Sequence, residues 1–193
     1  MKIERYKRPL SSFLSVDKDI ETIMDMLWNN VRLKRLLYRK GRNALNDKNL
    51  TEEESVKLFE EEYITNVPKL PVDSEEKNYI VVSFNKFSPT PTNPHYRDNF
   101  LIVDVVCHFD QWRLEGFQLR PFKIAGEVDS MLDGARLSGI GVLNFVCANY
   151  ITIGNEYGGY SLVYKATHSE DDQKNFNNPA DEERFLEDVI SNG

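Results

Sequence analysis

Apolar residues recur at helical spacing in the first third of the chain and at strand spacing after it. Ile20, Ile23, Met24, Leu27 and Val31 stand three and four residues apart, which predicts a helix over residues 17–39 with one buried stripe. Asp17 and Asp19 lie at its start, with Arg39, Lys40 and Gly41 at its end. This is the polarity the helix dipole favours, followed by a left-handed stop. A shorter helix is predicted over 51–63, where Thr51 and Glu54 make a capping-box pair and Val56, Phe59 and Tyr63 supply the apolar side. Residues 64–78 read as a connector, because Pro68 and Pro71 favour extended backbone and 73–77 is a polar turn.

The period then shortens to two. Tyr79–Phe84 is β-branched and aromatic and predicts a strand; 88–94, with prolines at 89, 91 and 94, predicts an exposed loop. A second strand over 100–109 places Leu101, Val103, Val105 and Cys107 on one face and Ile102, Asp104, Val106 and His108 on the other, paired antiparallel with the first. Pro121 opens a helix over 121–132 with Ala125, Val128 and Leu132 inward and Gly134 as its stop. Strands over 142–153 and 160–167 flank a Gly-rich turn, 154–159, a hairpin signal. The fold class is therefore α+β: an antiparallel sheet of about four strands packed against helices, with an N-terminal helical region and a C-terminal extension. Residues 1–167 form the domain, with 41–78 as helical insert and connector. Residues 168–193 form an acidic arm: 169–178 is polar, Asn178 and Pro179 suit a helix start, and Phe185, Leu186, Val189 and Ile190 make a small apolar face. A helix that short on a polar tether is not stable alone and has to dock, on its own domain or on a neighbouring subunit.

Charge and composition narrow the function. A chain of 193 residues is long enough to bury one core. Its net charge of −7 argues against a general nucleic-acid binder, although weak repulsion suits a protein past which DNA must slide. The longest apolar run, 100–109, is interrupted by Asp104 and His108 and is too short for a membrane span. Residues 10–16 are broken by serines and lack a small-residue cleavage site, so no secretory signal is expected. Cys107 and Cys147 are expected as free thiols in a reducing compartment. His95, His108 and His168 are too scattered for a metal site, and Gly134, Gly139 and Gly141 lack the lysine and hydroxyl residue of a phosphate loop; no cofactor is expected. Asp104 and Glu115 resemble the carboxylate pair of magnesium-dependent nucleases, without the lysine those enzymes carry two residues after the second acid. Arg32, Arg35, Arg39 and Arg42 fall near one helical face and are candidate contacts to DNA or an acidic partner, against a solvated face balanced by Glu52–Glu54 and Glu60–Glu62. His95, Tyr96, Glu156 and Tyr157 lie in the two long loops and are candidate interface or channel-lining residues.

Three segments carry a resemblance. Val103–Trp112 (VDVVCHFDQW), Arg120–Leu132 (RPFKIAGEVDSML) and the hairpin ending Gly159–Tyr164 (GYSLVY) resemble the tail-terminator and tail-completion group of tailed-bacteriophage neck proteins over about residues 79–167. The resemblance implies a non-enzymatic virion protein, assembled in the host cytoplasm. It forms a homo-oligomeric ring, a hexamer in the favoured case or a dodecamer, beside portal-adaptor or tail-tube proteins. Double-stranded DNA passes through without being read. The insert 41–75, the proline stretch and the acidic arm depart from the short members of that group and leave the identity of the ring open. In that ring Phe185, Leu186, Val189 and Ile190 are expected to dock on the adjacent subunit. Two other readings stand beside it: a metal-dependent nuclease using Asp104 and Glu115, and a monomeric binding domain using the proline loop and 32–42.

Overall fold

A computed structural model of the chain describes the backbone of residues 12–67, 76–90, 93–137 and 141–169, and the side chains of 16–67, 76–88, 98–137 and 141–166. The helical region comprises α1 (Ser12–Asn29), α2 (Val31–Tyr38) and α3 (Glu52–Glu60). The helix expected over 17–39 is thus two, divided at Asn30. Asn30 Oδ1 accepts the Leu33 amide at 2.9 Å and caps α2, while its Nδ2 donates to Glu127 Oε2 at 3.2 Å. A tertiary contact fixes the break, so the apolar period runs through it unchanged. In α3 the Thr51–Glu54 capping box forms reciprocally. The inward residue of α3 is Leu58, however. Val56 and Phe59 are exposed, with Phe59 packed at the surface on Trp28 at 5.3 Å between ring centres, and Tyr63 is buried beyond the helix end.

The strands are β1 (Ile64–Thr65), β2 (Tyr79–Thr90), β3 (Asn93–His108), β4 (Arg136–Leu137), β5 (Gly141–Val142), β6 (Asn144–Ile153) and β7 (Tyr157–Ser169), with α4 (Arg120–Leu132) between β3 and β4. One sheet has the order β1-β2-β3-β7-β6, antiparallel except for the parallel β1–β2 pair; β4 and β5 form a separate ribbon. The expected connector therefore contributes a short strand, and the sheet has five strands rather than four. The proline stretch is no long loop either. Strand β2 runs into it as far as Thr90 and β3 begins at Asn93, with register shifts between Asn85 and Phe87 and between Pro89 and Thr90, and irregular pairing is where a strand tolerates residues with no N–H to donate.

The helices cover one face of the sheet. Ile80, Val82, Leu101, Val103, Val105, Leu162 and Tyr164 pack there against Ile23, Leu27, Leu33, Leu36, Ile124, Val128 and Leu132. The other face holds a smaller cluster of Tyr79, Val81, Val106 and Tyr157. Alternation along 101–108 falls as predicted. Cys107 lies in the helix-side core, whereas Cys147 pairs with Val163, opposite Ile102, on the far face; both are free thiols, and the sheet stands between them.

The hairpin between β6 and β7 turns over Gly154–Glu156, shorter than expected, because Gly158 and Gly159 are strand residues. A Cβ on Gly159 would sit 1.8 Å from the Val105 carbonyl oxygen, so the glycine allows β7 to lie against β3.

Candidate interaction surface

The four arginines of the predicted basic face divide. Arg39 makes a two-pronged ion pair with Glu54, at 2.6 and 2.8 Å, which holds the Glu54 carboxyl below its ordinary range. Arg32 pairs with Glu127 at 3.2 Å, and Arg35 Nη1 donates to the Asp47 carbonyl at 2.8 Å. Three of the four thus tie α2 to α4, to the turn after α2 and to α3. Arg42 is exposed and lines a cleft with Arg113 and the segment up to Leu119. The balance with Glu52–Glu54 is met by a single specific pair.

The loop candidates also separate. Tyr157 is not a loop residue: it opens β7, is buried, and stands edge-on to His108 at 5.1 Å. Its place in the smaller core cluster overturns its assignment to an interface or a channel. Glu156 is exposed in the turn, and its carbonyl accepts the Phe109 amide at 2.8 Å. His95 and Tyr96 have strand backbone in β3, with Tyr96 opposite Ser169; their side chains lie outside the described residues. Phe185, Leu186, Val189 and Ile190 also lie outside them.

Asp104 and Glu115 are not brought together as a pair. Asp104 sits between Val81 and Ser161 on the face of the sheet away from the helices, while the Glu115 amide donates to the Arg42 carbonyl on the helix side at 2.9 Å. Among the described residues no three His, Cys, Asp or Glu side chains gather as a metal site.

Two apolar surfaces were missed. The first is the loop 113–119. Arg113 and Leu119 form a bridge, the Leu114 amide donates to the Gln118 carbonyl at 2.9 Å, and the Leu114 side chain is buried. On this frame Gly116 and Phe117 both take left-handed backbone, at φ 64° and 62°, and Phe117 is 105% exposed. Left-handed φ is rare and costly for a phenylalanine, and here it holds an apolar ring in water. The second is β6, an end strand of the sheet. Phe145, Val146 and Tyr150 are 43%, 50% and 56% exposed. Beside them a row of aromatic rings crosses from α4 to the edge: Phe122 on Tyr160 at 4.7 Å, and Tyr160 on Tyr150 at 5.9 Å. Helical cover stops short of β6, so strand alternation that reads as buried is open on both sides.

A protein-family model named YomW matches residues 30–166, from the cap of α2 to near the end of β7. The chain belongs to the YomW family. That family is phage-derived, which suggests a phage protein. The YomW match includes both apolar surfaces and ends before the acidic arm. A search of the curated proteins finds no match. Among the described residues no helix is long and apolar enough to cross a membrane.

Proposed function

We propose that this YomW-family protein is a structural component of the virion neck: a tail terminator or head–tail connector whose copies close into a ring around passing DNA, a hexamer in the favoured case. The observation that carries the reading is apolar surface held on hydrogen-bonded backbone outside the core: Phe117 at the tip of a bonded loop, and Phe145, Val146 and Tyr150 on β6. Exposed aromatic groups grouped in this way mark protein contacts rather than solvated surface. The phage family and the resemblance of residues 79–167 to neck proteins supply the context. The net charge of −7 is compatible with a passage that does not hold a duplex.

In this reading the apolar face of Phe185, Leu186, Val189 and Ile190 docks on an adjacent subunit, with 170–178, after the end of β7, as tether. Deleting 170–193, beyond the end of β7, then lowers the oligomer mass measured by light scattering while leaving the circular dichroism and melting of the domain intact. A truncated chain that forms the full-length oligomer contradicts the docking.

A further inference from the structure

We propose that β6 is a self-pairing edge, at which two copies of this chain join through antiparallel hydrogen bonding between their β6 strands. The inference rests on the self-assembly proposed above, and not on the ring or on the arm.

The two edges of the sheet differ. The other edge is the two-residue β1, and where β1 ends β2 is open from Val82, but Lys86, Pro89 and two register shifts guard that stretch. The β6 edge is ten residues long and contains no Lys, Arg, Asp, Glu or Pro (NFVCANYITI), in a chain that is 28% charged. Soluble proteins ordinarily guard such an edge with charge, proline or a covering element. Here the guards stand only at the start of the strand. The Asp133 carboxylate accepts the Phe145 amide at 2.9 Å, Leu143 exchanges backbone bonds with the segment 134–135, and a register shift falls between Phe145 and Cys147. From Cys147 to Ile153 the strand keeps unbroken register with β7, and no described strand lies on its other side.

The occupant is argued from charge and from the aromatic row. A molecule of net charge −7 carries a net repulsion toward its own copies, and this stretch puts no charge into the contact. Asn149 both donates and accepts hydrogen bonds, so it is compatible with its own equivalent. The row Phe122–Tyr160–Tyr150 stops at the sheet edge with Tyr150 56% exposed. Antiparallel pairing about Asn149 or Tyr150 sets the two Tyr150 rings at opposite or diagonal strand positions, continuing the row across the contact. Such a contact is twofold and self-complementary, and it builds even-numbered assemblies, including a hexamer of three pairs or two stacked rings.

The test uses the full chain and the double substitution Asn149→Lys with Thr152→Lys, both at exposed positions. Sedimentation equilibrium gives the association constant, and hydrogen exchange reads the amides of 146–153 across a dilution series. The wild type is expected to show protection of these amides that rises with concentration. The double variant, with unchanged circular dichroism, is expected to associate at least about tenfold more weakly, since position 149 lies opposite or diagonal to its own copy and a charge at 152 has to be buried against an uncharged residue of the partner strand. A variant with wild-type association overturns the inference, as does a wild type whose 146–153 amides exchange equally fast at every concentration. If the deletion of 170–193 dissolves the oligomer and the lysines do not, the edge pairing fails while the assembly stands. A wild type that is monomeric throughout removes both.

Discussion

The guanidinium of Arg120 is completely buried at the start of α4 and, among the described residues, pairs with no carboxylate. Its Nε donates to the Gln111 carbonyl at 2.7 Å, Nη1 to that of Leu36, and Nη2 to those of Lys40 and Gly41 at 3.2 and 2.8 Å. Carbonyls left unpaired around the end of α2 thus find donors on a different element, and burial pulls the Arg120 pKa down from its ordinary value. Replacing Arg120 with Met is expected to cost about 3 kcal/mol or more in urea unfolding, because several buried acceptors lose their donors together. Lys is not expected to rescue it, since one ammonium cannot reproduce the spread of a planar guanidinium. An unchanged unfolding midpoint would count against this role. Cys107 offers a second check at the same scale. Burial pushes its thiol up to about 12, whereas Cys147 is partly exposed. Native protein should therefore consume about one equivalent of an alkylating reagent and unfolded protein about two; two rapid equivalents in the native state would show Cys107 to be accessible.

At the scale of elements, the sheet depends on the approach of β7 to β3. Gly159→Ala is expected to destabilise the fold by about 3 kcal/mol, because the new methyl meets the Val105 carbonyl rather than a side chain that can turn aside. Gly126→Ala, in α4 with open space around it, is expected to leave the midpoint unchanged or raise it. Equal effects of the two would contradict the close packing. The same contrast explains what the sequence revealed. Alternation placed Leu101, Val103 and Val105 inward, the Thr51–Glu54 pair located the start of α3, and Pro121 located that of α4, because each rests on local geometry. Asn30 divided a continuous apolar stripe through its bond to Glu127, which lies 97 residues away. Tyr157 looked like a loop residue because Gly158 and Gly159 read as turn, whereas they are glycines required by strand packing. The exposed ring of Phe117 had a faint signal in Glu115–Gly116–Phe117, a glycine beside an aromatic residue, but its exposure follows from backbone bonds that no spacing encodes.

For the whole molecule, the helices cover the middle of the sheet and leave β6 and the loop 113–119 with apolar groups in water. A monomer gains nothing from either, and the loop holds Phe117 in a costly conformation. The proposed assembly would give both a purpose, and the acidic balance of the chain would favour contact at places free of charge, such as β6. The most direct measurement is the mass of the purified full chain in solution by light scattering, with the same sample imaged in negative stain. Closed rings with a central opening and an even subunit number are the predicted result. A particle that keeps the 22.4 kDa mass of one chain at every concentration, alone and when mixed with virion neck components, would contradict the account.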